Sequence, residues 1–67
     1  EPWILKGNAL YFQGKYDEAI RAYDGAIRID PNLREAWKGK ADALEASGKT
    51  TEANAASARA GELGYEG

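Results

Sequence analysis

Slid along itself by 34 residues, this chain of 67 lines up Trp3 with Trp37, Leu10 with Leu44, Gly14 with Gly48 and Lys15 with Lys49. Glu1, Lys6, Ala9, Glu18, Ala19, Ala22 and Ala26 also recur 34 positions on, making 11 identities over 33 overlapping positions. A chain written twice at that period folds as two copies of one small unit, each burying the face its neighbour cannot bury alone. The boundaries follow as about 1–33 and 34–67, within one domain spanning 1–67.

Each unit reads as a helical hairpin. Trp3 to Gln13, Tyr16 to Ile29, Leu33 to Ser47 and Thr51 to Leu63 carry apolar or Ala positions at three- and four-residue spacing. Between them fall Gly14-Lys15, Asp30-Pro31-Asn32 and Gly48-Lys49-Thr50. Gly supplies the left-handed geometry that helix ends favour, and Pro31 cannot continue a helix. Asn32 and Glu35 have the spacing of a capping box. Asp17 with Arg21, Asp24 with Arg28 and Glu45 with Lys49 are expected to pair along their own helices. Gly7 and Ala19 are small, which lets two helix backbones approach where they cross. Trp3, Leu10, Tyr23 and Ile27 are expected to fill the volume around that crossing.

Composition narrows the chemistry. Cys and His are both absent, so disulfides, the usual zinc sites, a thiol nucleophile and a histidine base are ruled out. No cofactor and no metal site is expected. Nine Lys+Arg against 11 Asp+Glu leave a formal charge of −2, against the basic excess of a nucleic-acid binder. No apolar run approaches the roughly 18 residues of a membrane span. Nucleic acid and membrane are therefore not expected partners. Residue 1 is Glu, which points to an excised or processed segment, and the lack of Cys fits a reducing, cytoplasmic compartment. Asp42 and Glu45 are carboxylates one turn apart, but with no nucleophile or His beside them they read as surface charge. The chain is not expected to be an enzyme.

The repeat resembles the tetratricopeptide family, a 34-residue helix–turn–helix whose pattern runs Trp, Leu-Gly, Tyr, then Ala, Phe, Ala and Pro. The first unit matches at Trp3, Gly7, Ala19, Ala26 and Pro31, with Tyr23 as the aromatic; Lys6 and Leu10 depart from it. The second matches at Trp37, Ala53 and Ala60, with Ala41 for Gly and Leu44 for Tyr, while Ser57 and Tyr65 depart. The resemblance implies an all-α fold, two antiparallel hairpins stacked as a short right-handed solenoid. It also implies a protein-interaction scaffold whose concave groove is lined by the first helix of each repeat.

Carried over by position, that groove takes Glu1, Ile4, Asn8, Tyr11 and Phe12 from the first repeat. Glu35, Lys38, Asp42, Glu45 and Ala46 are their counterparts in the second. Helical spacing supports each set as one stripe. One cation among four carboxylates, beside Tyr11 and Phe12, suits a basic peptide or protein with an apolar anchor. One family variant grips its partner's C-terminal carboxylate with a Lys and Asn residues. Here Asn8 matches, but Ile4 and Gly39 replace the Lys and the next Asn and no third repeat follows, so that capture is not expected. The rival reading is a self-assembly element that forms homo-oligomers or stacks with further repeats of a longer parent. Ile20, Tyr23 and Ile27 become Asn54, Ser57 and Gly61 in the last helix, which predicts a weak polar cap fraying from Gly61.

Overall fold

The computed structural model describes residues 2–63. Four helices follow one another: α1 (Trp3–Phe12), α2 (Tyr16–Ile29), α3 (Arg34–Ala46) and α4 (Thr50–Glu62). Each agrees with its expected span to within one residue at either end. Glu1 and Tyr65, both used in the sequence reading, lie outside the described residues. Helix α4 stays helical through Gly61 to Glu62.

The two intra-hairpin turns are the same object twice. Gly14 and Gly48 sit at φ +80° and +89°, in the left-handed region that glycine enters without steric cost. Lys15 N–H reaches back to Leu10 C=O at 2.9 Å and Gly14 N–H to Tyr11 C=O at 3.0 Å. Lys49 and Gly48 repeat those bonds to Leu44 and Glu45 at 2.8 and 3.0 Å. This is the Schellman closure, which satisfies carbonyls left over at a helix end. Gly14→Ala is expected to lower stability by about 1 kcal/mol through strain at that φ. Urea unfolding followed by circular dichroism measures it, and an unchanged midpoint would contradict the turn's role.

Helix α2 buries Ala19, Ala22, Tyr23 and Ala26, the i, i+3, i+4, i+7 stripe of a one-faced helix. Helix α3 buries two faces because it lies between α2 and α4. Ala43 packs with Ala19 and Tyr23 toward the first hairpin, while Ala41 and Leu44 pack with Ala53 and Ala56 of α4. Ile20 touches both clusters and joins them. The backbones of α1 and α3 approach each other, whereas those of α2 and α4 stay apart. The stack therefore opens on its α2/α4 side and closes on its α1/α3 side.

Four local expectations need correction. Asn32 does not cap α3: Leu33 takes the cap position and no side chain bonds there. The Asp30 carboxylate instead accepts the Asn32 N–H at 3.1 Å, closing a turn of its own, and Trp37 Nε1 donates to Pro31 C=O at 2.8 Å. Asp17 and Asp24 leave their helix-internal arginines and cross to the second hairpin, to Lys49 at 3.8 Å and Lys40 at 2.7 Å. Glu45 and Lys49 likewise do not pair, since Lys49 is drawn to Asp17. Gly7 does not face a bare backbone crossing; a Cβ there would stand 2.7 Å from Tyr23 Cε1. Of the four residues expected to fill that crossing, Tyr23 is buried and Trp3, Leu10 and Ile27 are half-buried.

Candidate functional site: the groove between the first helices

Side by side, α1 and α3 enclose a shallow hollow of about 220 Å³ lined by Ile4, Asn8, Glu35, Lys38, Gly39 and Asp42. Ile4 and Asn8 are one turn apart on α1, as Glu35, Lys38 and Asp42 are on α3, so each helix turns one stripe to the groove. Gly39 keeps the floor low between them. The charges are opposed in part: Lys38 Nζ stands 3.9 Å from Asp42 Oδ2, both half exposed.

Asn8 is the best-fixed of these groups. The buried Tyr23 hydroxyl donates a hydrogen bond to its Oδ1. That leaves the Asn8 amide NH2 as the donor facing the groove. Burial, first, and then the Asp42 carboxylate and Tyr11 push the Tyr23 phenol above its ordinary pKa. Its proton is therefore held firmly on the donor side of the bond. Tyr23 reads from sequence as core alone; its second role, orienting a groove residue, needed the tertiary contact with Asn8.

Tyr11, Phe12 and Glu45 share the stripes but not the hollow. Tyr11 is half-buried against the Ala19–Tyr23–Ala43 cluster. Its ring meets Phe12 edge-on at 5.5 Å and Tyr16 at 5.4 Å, while Phe12 itself is 84% exposed. An aromatic patch thus sits at the turn end of α1, beyond the groove floor. Tyr16 joins it because the Gly14 turn folds the start of α2 back onto α1, and the stripe argument, confined to first helices, missed it. Glu45 is exposed near the end of α3.

Among the described residues, no three or more Asp or Glu side chains gather as a metal would need, and no helix is long and apolar enough to cross a membrane. A sequence model of the TPR repeat matches residues 7–48. That span runs from the buried Gly7 of α1 to the Gly48 turn. The chain belongs to the TPR repeat family. Two curated relatives are similar to it. The Hsp70-Hsp90 organising protein of Plasmodium falciparum (isolate 3D7) is 57% identical over 28 residues, covering 42% of this chain and 5% of that protein. The TPR repeat-containing thioredoxin TTL4 of Arabidopsis thaliana is 43% identical over 47 residues, 70% of this chain and 7% of that protein. The chain thus spans less than a tenth of either relative. TPR repeats form a protein-interaction family, generally without catalysis of their own, and this all-α TPR stack is a module for binding protein.

Proposed function

We propose that the two repeats, about 1–33 and 34–67, act as one binding unit that holds a peptide segment of a partner protein in the α1/α3 groove. The observation that carries this is the hollow itself, built by both hairpins and offering an amide, one cation and two carboxylates around an apolar wall at Ile4. With Glu45 included, the described charges of the site are three acids against Lys38. Charge of one sign along a concave surface speeds encounter with the opposite sign. The Tyr11–Phe12–Tyr16 patch adds rigid contact area at low entropic cost. The ligand is thus basic with at least one large apolar side chain, and the groove reads it along its length. One relative's name links it to Hsp70 and Hsp90, but Ile4 and Gly39 do not supply the Lys and Asn of terminal-carboxylate capture.

Titrating basic–apolar and acidic peptide pools tests the reading. Basic pools are expected to bind more tightly, with affinity falling as salt rises because exposed charges are screened beyond ~8–10 Å. Asp42→Lys with Glu45→Lys is expected to weaken that binding about tenfold and leave helicity unchanged, since both side chains face solvent. Preference for acidic peptides, or indifference to the reversal, would remove the groove from consideration.

A further inference from the structure

Past the hollow, the groove continues for one more turn toward the ends of α1 and α3. The hollow's lining pairs Ile4 with Lys38 and Asn8 with Asp42, counterparts in the 34-residue register. The next step of that ladder sets Phe12 on α1 against Ala46 on α3, because Ile4, Asn8 and Phe12 follow one helix face at four-residue intervals. Phe12 is therefore exposed to the groove and not to the flank of α1 turned away from α3. One wall carries a large ring there, and the other only a methyl group.

That ring is braced by its neighbours without being covered by them. Tyr11 meets it edge-on, with ring centres 5.5 Å apart and planes at 79°, and Tyr16 meets Tyr11 at 5.4 Å. Tyr11 is itself packed on the Ala19–Tyr23–Ala43 cluster, so Phe12 stands against an anchored ring. With 84% of its surface in solvent it offers a guest the electron-rich face of its ring. Glu45 completes this end. It follows Lys38 by seven residues and Asp42 by three, on the groove stripe of α3. It is exposed and has no ion-pair partner among the described residues, since Lys49 is turned to Asp17 at 3.8 Å. A ring face and an uncommitted carboxylate thus share the turn end of the groove, and both attract a cation.

We propose, resting on the groove reading, that this turn end holds an arginine of the bound peptide. Its guanidinium lies flat on Phe12 above Ala46 and donates hydrogen bonds to the Glu45 carboxylate. Arginine suits the pair better than lysine does. The guanidinium is planar and weakly hydrated, and can stack on a ring while its edge meets a carboxylate. An ammonium is strongly hydrated and has no plane to lay on the ring. A methylated ammonium is best served by a cage of ring faces, whereas here Phe12 alone is exposed and Tyr11 and Tyr16 are half-buried. Spacing follows as well. Ile4 and Phe12 are eight residues apart, about 12 Å along the helix. An extended peptide covers that in about four residues, so the apolar side chain for Ile4 lies about four residues from the arginine.

The probes are acetylated, amidated alanine-based peptides carrying leucine and arginine at that spacing, in both orders. They are titrated into the 67-residue chain and followed by amide chemical shifts. Matched peptides replace the arginine by lysine, citrulline or norleucine. Shifts are expected at Phe12, Glu45 and Ala46 as well as at Asn8, Gly39 and Asp42. Each replacement is expected to weaken binding about fivefold, the order of one exposed contact between a cation and a ring. Phe12→Leu keeps apolar bulk and removes the ring. It should erase the preference for arginine while helicity and the shifts at Asn8, Gly39 and Asp42 persist. Glu45→Gln should reduce that preference without erasing it. Equal or tighter binding of any matched peptide would overturn the proposal, as would a preference for arginine that survives Phe12→Leu. In those cases the groove reading stands, because the floor amides still move. Floor amides that do not move at all would remove the groove reading and the arginine subsite together.

Discussion

Tyr23→Ala is expected to cost about 3–5 kcal/mol, the range for deleting a large buried aromatic side chain. A folded chain of this length has roughly 3–10 kcal/mol in total, so the variant should be largely unfolded on mild warming. The effect is large because nothing else occupies that volume. Tyr23 is 2% exposed and the only large side chain fully buried among the described residues; apart from Leu44, the buried hydrophobic core around it is alanine. Tyr23→Phe isolates the hydroxyl. Losing its bond to Asn8 is expected to cost about 1 kcal/mol and to free the groove amide to turn. The phenol also makes stability pH-dependent. Its folded pKa lies above the ordinary value, so the unfolded chain releases the proton first and stability falls as pH rises past about 10. Below that pH the contribution is fully present. Urea midpoints from pH 8 to 11 should fall more steeply for the wild type than for Tyr23→Phe. Parallel slopes would show that burial of the phenol is not being felt.

Gly39→Leu and Gly7→Leu are each expected to destabilise by about 1–3 kcal/mol, despite the roughly 1 kcal/mol that leaving glycine returns to a helix interior. Both α-carbons crowd the Cε1 edge of the same ring. An added Cβ at Gly7 would stand 2.7 Å from Cε1, and one at Gly39 would overlap Cζ outright. The ring cannot swing clear, because α1, α2 and α3 all close on it. The two sites differ in what they disturb: Gly7 lies within the first hairpin and Gly39 across the junction of the two. Combining Gly39→Leu with Tyr23→Ala should cost less than the sum of the single changes, since the second removes the atoms the first collides with. Strict additivity in thermal or urea unfolding would show that the glycines are not there for the ring.

Much of this was legible in the residues. The 34-residue register, Gly14 and Gly48 gave the hairpins and their turns, because repeat period and left-handed helix ends are local properties. What failed locally failed through competition from outside the helix. Asp17 and Asp24 had arginines at the favoured spacing, but an exposed pair along a helix is worth only a few tenths of a kcal/mol. Lysines from the next hairpin took both. Asn32 lost the cap to Leu33 because Asp30 had already closed the preceding turn. In the groove, the family resemblance named Ile4, Asn8, Tyr11, Phe12, Lys38, Asp42 and Glu45, and the hollow is lined by Ile4, Asn8, Lys38 and Asp42 of these. A stripe runs the full length of a helix, about 15 Å for ten residues, whereas the hollow takes only part of it. No pattern within α1 or α3 could show that Asn8 is held by a residue of α2.

Because the α2 and α4 backbones stay apart, the packing between the hairpins runs through α3, with the Asp17–Lys49 pair bridging α2 to the turn that follows it. Helices α1, α2 and α3 are in mutual contact and α4 packs on α3, so the last helix couples to the rest through one neighbour, as in the nearest-neighbour cooperativity of repeat proteins. Helix α4 is held by a single face of alanines, Ala53, Ala56 and Ala60, and its detachment leaves the Tyr23 cluster whole. Detachment of α3 cannot be partial in that way: it strips Ala43 from one cluster and Leu44 from the other at once. Opening of the last helix is thus a sub-global event, while opening of the third is unfolding itself. The groove, built half from α3, persists through the first and vanishes only with the second.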